Sequence, residues 1–250
     1  RKRLDGRAGD DTLEGGAGAD TCDGGSGFDT VDFSTQTANL AIELDGTASL
    51  GGDAAGDRFF NIEQILSGLG DDQLTGSDED ESLFGGAGDD TLIGAGGADF
   101  LDGGAGTDTV TYAGSSSSVI LNLDGSPSLG GDANGDTIIN AEIIIASDFN
   151  DQVFGAAAIE TIFGGAGDDS IYSGLGADIL DGGLGIDTAN YSLSDAAVTV
   201  SLGGGPGVGG HAQGDTLIGI ERLFGSNFAD TLTGNSSDDI LEGGGGDDIL

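Results

Sequence analysis

Residues 85–93 read GGAGDDTLI, and the same nine-slot arrangement recurs in 16 frames of this 250-residue chain. Frames begin at 6, 15 and 24; at 67, 76, 85, 94 and 103; at 146, 155, 164, 173 and 182; and at 225, 234 and 243. The sixth slot is acidic in all 16, with Asp in 14 and Glu at Glu81 and Glu160. The eighth slot is apolar in all 16, and only Cys22 and Ala189 there are not Leu, Ile or Val. Gly fills the fourth slot in 11 frames. A short period kept this strictly builds stacked units, each burying its apolar residue against its neighbours.

The slots imply a division of labour. Gly at slots one, two and four lets the backbone take positive φ and turn tightly. The acid follows the turn. The last three residues are extended, and alternation sends the eighth-slot side chain inward while its neighbours face out. Stacking then produces an apolar column inside and a row of carboxylates along each edge. Carboxylates a few ångströms apart repel unless a cation lies between them. A hard divalent ion held by carboxylate and backbone oxygens answers this, and Ca²⁺ suits flexible all-oxygen cages better than Mg²⁺.

A longer period of 79 residues contains the short one. GGSGFDTVDFS at Gly24 returns as GGAGTDTVTYA at Gly103 and GGLGIDTANYS at Gly182. It divides the chain into a truncated module 1–66, full modules 67–145 and 146–224, and a truncated module 225–250, expected as one continuous solenoid. Between nonapeptide blocks lie inserts 33–66, 112–145 and 191–224. Val119–Leu123 reads as a strand, GDANGDTII as a loop and strand with Asp136 in the acid slot, and IIINAEIII as a strand reached by a shortened turn. Asp57, Asp136 and Asp215 are therefore further candidate ligands. Three insert strands and five nonapeptide strands make eight per module, an even number that would return each module to the same edge.

Composition limits the partners. The chain holds 45 acidic and 6 basic residues, a formal charge of −39 that opposes compaction unless cancelled. Nucleic acid, phosphate ligands and anionic membrane surfaces are disfavoured for the same reason. No apolar run is long enough to span a bilayer, so membrane insertion is not expected. One Cys rules out an internal disulfide, and Cys22 in an eighth slot reads as a core residue. His211, the lone His, reads as a surface loop residue. Fifth-slot acids such as Asp71 and Asp89 read as outward and solvated. The lack of Met, with frames running to both ends, reads as a segment of a larger protein.

With these residues laid out, GGAGDDTLI and its repeats resemble the GGxGxDxUx nonapeptide of the RTX (repeats-in-toxin) proteins. The resemblance covers nearly the whole chain. It implies an all-β, right-handed parallel β-roll or solenoid, two nonapeptides per coil, with Ca²⁺ between stacked loops. Sixth-slot acids two frames apart would share an ion: Asp11 with Asp29, Asp72 with Asp90, Asp90 with Asp108, Asp151 with Asp169, Asp169 with Asp187, and Asp230 with Asp248. Asp20, Asp99, Asp178 and Asp239 complete the candidate ligands. Glu81 would pair with Asp99 and Glu160 with Asp178 in the same way, but their frames have lost the second and fourth glycines, so whether they bind metal is left open and neither Glu is counted among the ligands. The expected load is roughly 8–15 Ca²⁺ ions.

The resemblance further implies export through a type I secretion machinery and folding outside the cell. The expected function is a structural Ca²⁺-dependent repeat region of a secreted or cell-surface bacterial protein, such as an adhesin, S-layer or filament component. End-to-end self-association through uncovered strand edges is a possible partner mode. The alternative is the C-terminal secretion and folding module of a type I secreted enzyme, a protease, lipase or polysaccharide epimerase. The chain shows no acid–base or nucleophile constellation of its own, and it is not expected to be an enzyme.

Overall fold

A computed structural model describes residues 1–250. It contains 25 short strands, most of three residues, and three single-turn 3₁₀ segments at Gly52–Ala54, Gly131–Ala133 and Gly210–Ala212. All pairings between named strands are parallel, joining residues 18 apart in the regular frames, as in Leu74 with Leu92. This is the β-roll expected from the repeat. Each nonapeptide turns through its glycines and then delivers one three-residue strand. Strands are denoted here by their central inward residue.

The chain forms two compact units, residues 1–111 with 127–141 and residues 112–126 with 142–250. In the first, one sheet runs in the order Leu13, Val31, Ile65, Leu83, Leu101, Ile138. Across from it lie a three-stranded sheet (Leu4, Cys22, Phe59) and a run of Ile42, Leu74, Leu92 and Val110. In the second unit, one sheet runs Leu121, Val153, Ile171, Ala189, Leu223, Leu241; a second run is Ile144, Ile162, Leu180, Leu217; and Val200 pairs with Leu232.

The core is the eighth-slot column. Fourteen of the 16 eighth-slot residues are buried, from Leu13 to Leu232, while Leu241 and Leu250 are not. The small members are fully enclosed, with Cys22 and Ala189 at 0% exposure. Burial pushes the Cys22 thiol up to about 11, first by desolvation and then through Asp57 and Asp20, as suits an unreactive core residue. The insert 3₁₀ turns plug the same core with Ala54, Ala133 and Ala212.

The inserts depart from one expectation. Each supplies three strands, as the sequence indicates, but they do not simply add coils. In the first unit the Phe59 strand closes the three-stranded sheet, the Ile65 strand extends the Val31 sheet, and the Ile42 strand starts a new run on Leu74. Two of the three insert strands thus lie on the same side, one ending a run and one beginning another. The Val31 and Val110 strands, 79 residues apart, consequently occupy different sheets, so a module does not return to the same edge. In the second unit, Leu217 ends one run and Val200 begins another.

Candidate metal centre

The Gly-rich turns stack so closely that side chains have no room. A Cβ on Gly85 would lie 2.5 Å from both Asp90 Oδ2 and the Gly103 carbonyl oxygen. A Cβ on Gly164 would meet Asp169 Oδ2 at 2.5 Å and the Gly182 oxygen at 2.6 Å. At slots two and four, a Cβ on Gly104 or Gly106 would strike the carbonyl oxygens of Gly86 and Gly88 in the preceding loop. Glycine is required here for space as well as for φ, which is +123° at Gly88. The outcome is a gap between successive loops lined by main-chain carbonyls and carboxylates.

Each acid is fixed by the coil before it. The main-chain N–H of Asp72 donates to Asp90 Oδ1 at 2.7 Å, and that of Asp90 to Asp108 Oδ1 at 2.8 Å. The same bond joins Asp11 to Asp29, Asp151 to Asp169, Asp169 to Asp187 and Asp230 to Asp248, at 2.8–2.9 Å. The six residue pairs drawn from the repeat are therefore neighbours one coil apart, joined main-chain N–H to carboxylate. The insert acids join the rows as well: Asp20 N–H donates to Asp57 (2.6 Å), Asp99 to Asp136 (2.9 Å) and Asp178 to Asp215 (3.1 Å). Apart from Asp11, Asp239 and Asp248, which are partly exposed, every candidate acid is buried.

The second carboxylate oxygen is the informative one. Oδ2 of Asp11, Asp20, Asp29, Asp57, Asp90, Asp99, Asp169, Asp178 and Asp187 is buried without a hydrogen-bond donor. Burying unpaired charge is costly, and burial duly raises the pKa of Asp90 to about 7 and of Asp99 to about 8. Neighbouring carboxylates add to the effect: Asp108 and Asp72 for Asp90, Asp136 and Glu81 for Asp99. Asp169 is raised to about 7 by burial and then by Asp151 and Asp187. No three acidic, His or Cys side chains converge. Each gap instead offers two carboxylates and several carbonyls, a hard all-oxygen donor set suited to Ca²⁺.

Glu81 and Glu160, set aside in the sequence, occupy the same positions. Their N–H groups donate to Asp99 Oδ1 (2.8 Å) and Asp178 Oδ1 (2.9 Å), and both carboxylates are buried. Loss of the glycines did not move the acid, because cross-coil hydrogen bonds set its place.

Sequence reasoning missed three features. First, serine closes some gaps. Ser147 donates from N–H (2.7 Å) and Oγ (2.8 Å) to Asp151 Oδ2, and Ser226 does so to Asp230 (2.5 and 3.0 Å). Ser67 Oγ bonds Asp72, and Ser77 bonds Glu81. The signal was Ser at slot one or two of these frames. Second, Tyr191 donates its hydroxyl to Asp215 Oδ2 at 3.1 Å, whereas its counterpart Phe33 leaves Asp57 Oδ2 without a donor. Third, Glu63 and Glu221 accept the N–H of Asp29 (2.7 Å) and Asp187 (3.0 Å), taking the sixth-slot place in the shortened insert turns. The fifth-slot acids are exposed as expected, yet they also link coils, as when Asp89 N–H donates to Asp71 Oδ1 at 3.0 Å.

The basic start also finds carboxylates. Lys2 N–H donates to Asp20 Oδ1, its Nζ bonds the Gly15 carbonyl at 2.7 Å, and Arg3 lies 3.6 Å from Asp23. No helix is long and apolar enough to cross a membrane.

A sequence model of the RTX calcium-binding nonapeptide repeat matches four segments, residues 3–31, 75–110, 154–189 and 215–250, more than half of the chain. No curated protein matches it.

Proposed function

Because the chain belongs to the RTX calcium-binding nonapeptide-repeat family, we propose that it is a Ca²⁺-dependent structural region of a secreted or cell-surface bacterial protein, folding only once outside the cell. The observation that carries this reading is the row of buried carboxylate oxygens without donors along the loop edges. When bound, Ca²⁺ supplies the positive charge those rows lack. The chain's own part is to hold two carboxylates and the slot-two and slot-four carbonyls around each gap. Without the ion, the carboxylates repel and the chain, with its charge of −39, stays extended and exportable through a type I route. With it, binding free energy becomes folding free energy.

The role is mechanical or organisational, of the adhesin, S-layer or filament kind, with self-association through open strand edges. Catalysis is assigned to no residue of this chain. Limited proteolysis tests the coupling: in Ca²⁺ the region should resist a protease that degrades it fully in chelator. Equal resistance in both would overturn the proposal.

A further inference from the structure

At each insert, a regular loop is followed by a turn three residues shorter. Gly24–Asp29 is followed in its stack by Asn61-Ile62-Glu63, and Gly182–Asp187 by Gly219-Ile220-Glu221. In regular stacks the slot-two carbonyl accepts an N–H from slot three of the next loop, as Gly86 does from Ala105 at 2.9 Å. The short turns contain no residue at that slot. In the first unit the missing residues leave a cleft of about 820 Å³, lined among others by Gly25, Gly27, Asn61, Glu63 and Glu81.

The carboxylate arrangement nevertheless persists. Glu63 Oε2 takes the Asp29 N–H, as a sixth-slot Asp would, and Glu221 Oε2 takes that of Asp187. Asp29 Oδ2 and Asp187 Oδ2 are buried without donors in residues that are 0% exposed. Asp29 Oδ2 lies 2.6 Å from where a Gly24 Cβ would stand, a point the Asn61 carbonyl also crowds, so it faces the short turn. The longer Glu side chain spans the distance that the shortened backbone no longer covers. Asn61 takes φ +51° and Gly219 φ +56°, the left-handed turn that lets so few residues reverse the chain.

We propose that each short insert turn completes a further Ca²⁺ site, outside the nonapeptides, in which Glu63 pairs with Asp29 and Glu221 with Asp187. The Gly25 and Gly27 carbonyls in the first unit, and those of Gly183 and Gly185 in the second, are the main-chain donors available. The site rests on the reading of the regular gaps as Ca²⁺ sites, and its role is to carry the ion row past each insert. With the cleft beside it, the first-unit site is more open to solvent than a gap between full loops and should exchange its ion faster.

Equilibrium dialysis with radioactive Ca²⁺ and titration calorimetry on E63Q, E221Q and the double variant test this. Gln keeps an oxygen to accept the Asp29 or Asp187 N–H but removes the charge, so a purely structural Glu would lose nothing in ion count. Each single variant should bind about one ion fewer than the parent chain and the double variant about two fewer, with strand content in excess Ca²⁺ retained. E63D should recover part of the lost binding, whereas E242Q, at an exposed acid, should leave the count unchanged. A folded E63Q or E221Q with the parent ion count would overturn the proposal; if one fails to fold, the other decides it. If the parent chain itself bound no Ca²⁺, the family-level reading would fall instead.

Discussion

At the scale of single residues, many acids of this chain are buried with one carboxylate oxygen that no donor serves. Asp90 and Asp99 have folded-state pKa values of about 7 and about 8, against roughly 4 for a solvated Asp. A folded value above the unfolded one stabilises the fold fully only below the unfolded value, and that contribution is lost as pH rises through the folded value. In Ca²⁺-free solution, circular dichroism should therefore show strand content rising as pH falls from 8 towards 5. Ca²⁺ affinity should fall over the same window, because protons compete with the ion for these buried carboxylates. Tyr191 offers a second test. Y191F strips the hydroxyl from Asp215 Oδ2 and should cost about 1–3 kcal/mol in urea unfolding with Ca²⁺ present, the usual cost of a buried acceptor left unpaired.

At the scale of elements, a three-residue strand contributes one core side chain, and the strength lies in the column. Leu92 is fully buried between Leu74 and Val110. L92A should cost about 2–5 kcal/mol of Ca²⁺-saturated stability, read from the urea midpoint. G88A should be worse for binding than for the core. Its Cβ would meet the Gly70 carbonyl and force a β-carbon into φ +123°, so the Ca²⁺ needed for half-folding should rise several-fold. The core column and the acid rows were legible in the sequence because each depends on a slot within nine residues, repeated until chance is excluded. The serine caps, four or five residues before their acids in the same frame, carry a signal there too, Ser at slot one or two. Tyr191 and Glu63 were not legible. Their partners are chosen by which coil lands next to which, 24–34 residues away for Tyr191 and Glu63. The inserts decide that by placing two strands on one side. The same displacement moved Val110 to the sheet opposite Val31, which strand counting alone could not reveal.

At the scale of the whole molecule, the formal charge of −39 and the buried carboxylate rows make one statement. The fold lacks positive charge at its loop edges, and its six basic residues are too few to supply it. A titration of Ca²⁺ into the chelator-treated chain at pH 7.5, followed by far-ultraviolet circular dichroism, tests this most directly. The account predicts a disordered spectrum in chelator that converts to a strand spectrum as Ca²⁺ is added, and that reverts when chelator returns. A full strand spectrum in chelator, unchanged by Ca²⁺, would contradict it.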